Sequence, residues 1–265
     1  MEKPVISIRG LGTRFGRNVI HDGLDLDVRR GEVLGVVGGS GTGKSVLLRQ
    51  IIALNRPSAG TIRLFGQDVH ALTGRARDAL LTRIGVLFQD GALFSSLTVA
   101  ENIMVPMREH TDFPPRLMAE LTALKIAMVG LPGHAGALYP SELSGGMRKR
   151  AGLARALALD PEIVFLDEPT AGLDPIGASN FDRLIRSLQQ SLGLTVYMIT
   201  HDLDTLTAIC DRIAVLLHRK IRVGTFVQHR DDPDPWMQAY FRGPRARAAM
   251  RAGEAESYGE NLIDG

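Results

Sequence analysis

The stretch "EVLGVVGGSGTGKS", Glu32 to Ser45, decides the fold. Its first half is a continuous apolar run, the pattern of a strand buried on both faces of a sheet. Its second half, "GGSGTGKS", fits G-x-x-x-x-G-K-[ST] and sits between that strand and an expected helix, the context the motif needs. Gly38, Gly39, Gly41 and Gly43, with Ser40 and Thr42 between them, let successive backbone N–H groups point inward and approach a phosphate. The following helix start adds partial positive charge. Lys44 can reach the β- and γ-phosphates of a nucleotide, and the Ser45 hydroxyl can ligate Mg²⁺. These residues imply a nucleoside triphosphate site.

Working outward, apolar runs and helical periods alternate. "VISIRG", "LDLDVR", "TIRLF" and "IGVLFQ" read as strands, and a helix is expected from about Gly43 to Leu54, ended by Asn55-Arg56-Pro57. Residues from about 98 to 160 read as mostly helical, broken at Pro114-Pro115, Pro132-Gly133 and around Pro140. "EIVFLDEP" and "TVYMITHD" restore the buried-strand pattern, with a helix from about Pro175 to Leu192 between them. "DRIAVLLH" and "IRVG" read as a final hairpin. The chain is thus one α/β core with a helical insertion in its middle.

Composition narrows the class. A chain of 265 residues, 45% of them hydrophobic, carries ample core. A net charge of +2 supplies no global basic field for nucleic acid or an anionic membrane. The single cysteine, Cys210, cannot form an internal disulfide and fits a reducing compartment. No run approaches the ~20 apolar residues of a membrane span, and the N-terminus lacks a signal-peptide core. The expectation is a soluble, cytosolic chain that reaches any membrane through a partner.

Two carboxylates come next. "IVFLDEP" carries Asp167 to the C-terminal end of a strand, the edge where open α/β sheets bind ligands, and there it can hold Mg²⁺ or its waters. Glu168 beside it can orient or deprotonate a water near the γ-phosphate. In "SELSGGMRKRAGLARA", Ser141 to Ala156, Ser144, Gly145 and Gly146 open a helix and form a small anion cradle. The basic run Arg148, Lys149 and Arg150 that follows is read as a solvated helix face rather than a nucleic-acid grip.

These elements and their order, over roughly residues 5 to 225, resemble the ATP-binding subunits of ABC transporters. The resemblance implies an α/β P-loop NTPase with a mainly parallel sheet, an antiparallel β subdomain and a helical subdomain at about 90–160. It implies ATP and Mg²⁺ as ligands. "LSGGM", Leu143 to Met147, is similar to the family signature, in which the serine and glycines contact ATP held by the other subunit of a dimer. Met147 stands where the family usually has glutamine. Gln89 matches the Q-loop glutamine, which senses Mg²⁺ and the attacking water. Asp174 in "AGLD" matches the D-loop, and His201 matches the switch histidine that contacts the γ-phosphate. Phe15 sits where the family places an aromatic against adenine; a strand-core role is its alternative.

Within the family, "FQDGALFSSLTVAENIMVPMREHT" and "YPSELSGGMRKR" look like the ATPases of Mla-type phospholipid transport systems of Gram-negative bacteria, whose signature commonly reads LSGGM. That implies a homodimer beneath an integral membrane permease, on the cytoplasmic face of the inner membrane. A STAS-domain protein and an MCE-domain protein complete such complexes. Leu93, Phe94 and Leu97 either dock on the permease or fill the insertion core. A transporter ATPase for another cargo is the alternative; a DNA-repair or chromosome ATPase lacks its long or zinc-binding insertion here, and Glu168 and His201 argue against a nonhydrolysing ATP clamp. The ABC domain is expected to run over 1–243. It ends in a short helix capped by Asp234 and Pro235 and stopped by Gly243, with Trp236, Tyr240 and Phe241 near one face. Residues 244–265 read either as a disordered, solvated terminus, which composition favours, or as the extension that in Mla-type ATPases reaches the neighbouring subunit.

Overall fold

The computed structural model describes residues 3–89 and 91–243, so the expected C-terminal extension lies outside the described residues. A six-stranded sheet forms the centre, in the order β10-β9-β3-β8-β7-β6. Its strands are β3 (Val33–Gly38), β6 (Ile84–Leu87), β7 (Ile163–Asp167), β8 (Thr195–Ile199), β9 (Arg212–Leu217) and β10 (Lys220–Gly224). All neighbours pair in parallel except the β9–β10 hairpin. A separate antiparallel sheet, β2-β1-β4-β5, is built from β1 (Ile6–Phe15), β2 (Asn18–Val28), β4 (Ala59–Leu64) and β5 (Gln67–Asp68).

Period-two alternation splits the central strands between two cores. Leu34, Val36, Phe165, Tyr197 and Ile199 face the antiparallel sheet and α1 (Lys44–Ile51). Val33, Val164, Leu166, Val196 and Met198 face the opposite layer, which includes α5 (Gly145–Ala156) and α6 (Pro175–Leu192). Burial on both faces is why these strands read as unbroken apolar runs. The insertion folds as α3 (Val99–His110), α4 (Pro115–Met128) and α5, with the breaks at the expected prolines. Thr98 and Glu101 form a capping box at the start of α3.

Several boundaries differ from the expectations. β1 and β2 run on to Phe15 and back to Asn18, because register shifts after Ile8 and Leu11 let the pair continue past the interruption at Gly10. The helix after the P-loop begins at Lys44, Gly43 being its left-handed N-cap, and ends at Ile51. "IGVLFQ" is strand only to Leu87, so Gln89 lies in the turn beyond. Three helices have no counterpart in the sequence reading: α2 (Gly74–Leu81), α7 (Leu203–Ile209) and α8 (Phe226–Arg230). The last helix, α9 (Pro235–Phe241), is capped by Asp234 as expected. Trp236 and Tyr240 stack with centroids 4.8 Å apart, while Phe241 turns into the core with Met237.

The topology positions the site. β3, β8, β7 and β6 are consecutive in the sheet and parallel, so their C-terminal ends share one edge. That edge carries the loop from Gly38, His201, Asp167 with Glu168, and Gln89.

Candidate functional site

The loop from Gly38 to Gly43 depends on its glycines. Gly41 and Gly43 have φ of 76° and 96°, and a Cβ on Gly43 would lie 2.4 Å from His21 Nε2 and from Ile20 Cγ2. A Cβ on Gly38 would lie 2.5 Å from the Leu216 carbonyl oxygen. The Thr42 hydroxyl donates to the Gly39 carbonyl at 2.9 Å, and Lys44 Nζ donates to the carbonyls of Gly38 and Gly39 at 2.8 and 3.0 Å. Burial lowers the Lys44 pKa, opposed by the negative charges of Glu168 and Asp167. The lysine is therefore held over the loop within the field of both carboxylates. Beneath it, burial lowers His21 to about 4, so the ring packs under the loop as a neutral imidazole.

Asp167 ends β7 beside the loop. Burial and the neighbouring Glu168 raise its pKa, while Arg49, the Ser45 hydroxyl and Lys44 pull it down. Glu168 leaves the strand with φ 50°, a left-handed conformation that costs a side-chain-bearing residue about 1–3 kcal/mol. Its N–H donates to the Ile199 carbonyl at 2.9 Å, and its carboxylate lies 2.8 Å from His201 Nδ1. Glu168 and His201 face an open cleft that continues along Thr170, Leu173 and Asp202. A second cleft, beside Arg186 and Arg212, sits at the opposite edge of the sheet and is lined by the ion pairs Arg186–Asp211 and Arg212–Glu32.

The structure therefore brings the loop, Ser45, Asp167, Glu168 and His201 together. Gln89 is exposed past the end of β6, on the same edge. Phe15 is 56% exposed at the end of β1, so it is not a core residue of its strand. Asp174 caps α6, its carboxylate accepting from the Gly177 N–H at 2.9 Å. Ser144 is the N-cap of α5, its hydroxyl accepting from the Met147 N–H at 3.2 Å. Among the described residues no hydrogen bond joins Ser144, Gly145 or Gly146 to the loop or to Glu168. A Cβ on Gly145 or Gly146 would meet only Leu173, at 4.0 and 3.9 Å, so nothing among the described residues requires glycine there.

One expectation changes. The basic run is not a solvated face. Lys149 is only 7% exposed and donates to the carbonyls of Gln89 and Glu168, and Arg150 donates to the Val129 carbonyl at 2.6 Å. Arg148 stays at the surface and donates to the Leu143 carbonyl at 3.3 Å. Of Leu93, Phe94 and Leu97, Leu93 packs partly against the insertion core, whereas Phe94 is exposed with the Arg155 guanidinium 5.8 Å from its ring centroid. The sequence reading placed Tyr240 on a face of the last helix but not at the site; its hydroxyl donates to the His201 carbonyl at 3.1 Å.

A strand-borne phosphate loop followed by a carboxylate pair and a histidine on one sheet edge defines a P-loop nucleotide hydrolase. The family model for the ABC transporter matches residues 21–171, and the chain belongs to this family as the ATP-binding and ATP-hydrolysing subunit of a transporter. Over all of both chains it is similar to the intermembrane phospholipid transport system ATP-binding protein MlaF of Haemophilus influenzae, at 37% identity across 265 residues. The MlaF of Escherichia coli K12 is likewise 37% identical, over 90% of this chain and 89% of that protein. The probable ribonucleotide transport ATP-binding protein mkl of Mycobacterium leprae is 39% identical over 82% of this chain but only 62% of its own length. Among solved structures, the dimeric ATP-binding cassette MJ0796 in a post-hydrolysis state with ADP and Pi superposes with a TM-score of 0.76 at 25% identity, over 83% of this chain and 98% of that one. The cassette cbiO1 of Clostridium perfringens gives 0.78 at 27%, over 94% and 100%. No helix among the described residues is long and apolar enough to cross a membrane.

Proposed function

We propose that this chain powers a phospholipid-moving permease as a homodimer on the cytoplasmic face of the bacterial inner membrane. The cargo reading is supported by one observation above others: the similarity to the phospholipid-transport ATPase of Haemophilus influenzae runs end to end in both chains. The mycobacterial ribonucleotide-transport relative leaves over a third of its own length unmatched, and its cargo is the second reading. A STAS-domain protein and an MCE-domain protein are the further partners on the phospholipid reading, and exposed Phe94 is an apolar contact for the permease. The ABC domain is read as residues 1–243, followed by a C-terminal extension at 244–265.

In this reading the loop from Gly38 to Gly43 and Lys44 hold the β- and γ-phosphates, and Phe15 stacks on adenine. Hard oxygen donors suit Mg²⁺, and Ser45, Asp167 and Gln89 supply them. Bound there, the ion neutralises phosphate charge. Glu168 takes the proton of the attacking water, and His201 orients that carboxylate and meets the γ-phosphate. Ser144, Gly145 and Gly146 close on the γ-phosphate of the partner subunit's ATP, with Asp174 at the junction between the two sites. The bareness of that helix end among the described residues supports this, since its glycines leave room for a ligand.

The test is reconstitution of the chain with the membrane proteins that co-purify with it, in vesicles carrying labelled phospholipid. ATP-dependent movement of the label is the expected result. Movement of ribonucleotides without lipid would establish the second reading instead.

A further inference from the structure

Lys149 lies one turn into α5, behind the exposed Ser144 end, and its role is not phosphate capping. Its ammonium reaches two backbone carbonyls from different parts of the sheet edge. One belongs to Gln89, past β6, and the other to Glu168, past β7, at 3.1 Å. The helix meets the segment after β6 again further along the same stripe. A Cβ on Gly152 would lie 2.7 Å from Leu87 Cδ1 and 3.0 Å from the Gly91 carbonyl oxygen. Arg155 donates to the carbonyls of Ala92 and Gly91 at 2.7 and 3.3 Å. Residues 149, 152 and 155 thus share one face, at helical spacing, and that face is fastened to the Q-loop segment.

We propose that Lys149 is a positioning residue for hydrolysis: it ties the backbones of Gln89 and Glu168 to the signature helix of the same subunit. Glu168 sits at φ 50°, a conformation that persists only where its surroundings over-determine it. Its N–H is held by Ile199 and its carboxylate by His201, and its carbonyl accepts from both the Ala171 N–H at 3.2 Å and Lys149 Nζ at 3.1 Å. Without Lys149 only the local Ala171 N–H remains on that carbonyl, the tie to α5 is lost, and the carboxylate is free to shift with the peptide after it. An error of about 1 Å in a reacting group costs about 10²-fold in rate. The same link makes α5 a lever, because movement of the Ser144 end against a partner is transmitted to the base and to Gln89. This rests on Glu168 acting as the base and on the composite site proposed above.

The experiment uses the full chain with Lys149→Met, with Lys149→Gln as the substitute should the first fail to fold. Lys149→Arg is the variant that keeps a buried donor. Turnover at saturating ATP and ATP affinity in the absence of Mg²⁺ are measured for each. Lys149→Met should lose at least about 10-fold in kcat with ATP affinity within about two-fold, and Lys149→Arg should recover part of the loss. A kcat within about two-fold of the parent, or a loss shared equally by kcat and affinity, would overturn the proposal. A second arm uses heterodimers with one competent site, Lys44→Ala in one subunit and Ser144→Arg in the other. Lys149→Met should abolish turnover when placed in the subunit supplying the intact P-loop and Glu168, and not when placed in the subunit supplying the intact signature. Equal loss from either placement would mean a generally damaged helix and would also overturn it. Inactivity of the heterodimer with Lys149 intact would refute the composite site itself, and the kcat and affinity comparison would still decide the role of Lys149.

Discussion

Gly43 and Gly145 each stand at the start of a helix beside a hydroxyl-bearing residue, yet their surroundings are opposite. Around Gly43 the chain is full: His21 and Ile20 occupy the space a side chain would need, and φ is 96°. Around Gly145 the space is open, and only Leu173 comes within 4.0 Å. The first glycine is demanded by the fold of its own subunit. The second is demanded by nothing among the described residues, and the proposed approach of a partner's nucleotide is what would account for it. On the proposed reading, the first belongs to a finished phosphate-binding cleft and the second to a cap for a partner's cleft.

The largest expected effect lies in the finished cleft. Glu168→Gln should slow hydrolysis by ~10²–10⁴ while ATP still binds, the usual contribution of a positioned base. Single-turnover hydrolysis and nucleotide binding on the same preparation check this, and near-normal turnover would remove the carboxylate from its role. The next test separates the two glycines. Gly43→Ala should cost ~2–4 kcal/mol of stability, through a left-handed φ and a collision with His21. Gly145→Ala should change stability by no more than ~0.5 kcal/mol, because alanine suits a helix start, yet hydrolysis should fall. Denaturant unfolding with parallel ATPase assays reads both, and similar unfolding costs would erase the contrast. Smaller still, Phe15→Ala should weaken ATP binding by ~1–3 kcal/mol, the worth of one base on an aromatic face, without altering the unfolding midpoint.

The smallest effect concerns the support beneath His201. Asp182 on α6 accepts from the Thr205 hydroxyl on α7 at 2.7 Å and is otherwise buried. Burial pushes its pKa up to about 7. The folded chain therefore keeps a proton that the unfolded chain has already released, and rising pH favours unfolding. The loss begins above the unfolded value of about 4 and levels off past about 7. Its last part, between about pH 6 and 8, is ~1 kcal/mol, and Asp182→Asn should flatten that dependence in melts across the range. An unchanged slope would mean that the carboxyl is ionised in the fold.

Much of the finished cleft was legible because its strands are buried on both faces and its motifs are local. Gly38 to Ser45, Asp167 and Glu168 each follow an unbroken apolar run, and the parallel topology then gathers them. The antiparallel sheet was harder to bound, since the shifts near Gly10 interrupt the alternation that marks a strand. α2 buries only Leu80 and leaves almost no periodic trace. α8 is five residues long, although Thr225 and Gln228 form a capping box that could have announced it. Lys149 was misread for a different reason. Its partners lie 60 and 19 residues away in the chain, and nothing in "GGMRKR" distinguishes a buried lysine from its solvated neighbour.

The claim that the Ser144 end caps a partner's nucleotide is tested most directly in the hydrolysis-deficient background. Glu168→Gln protein, with ATP and Mg²⁺, is compared by light scattering with Glu168→Gln/Ser144→Arg protein under the same conditions. The single variant should accumulate as a closed dimer, whereas the double variant should bind ATP and remain at the mass it shows without nucleotide. Equal dimer formation by the two proteins would contradict the account, because a bulky cation would then sit harmlessly where a phosphate is meant to be.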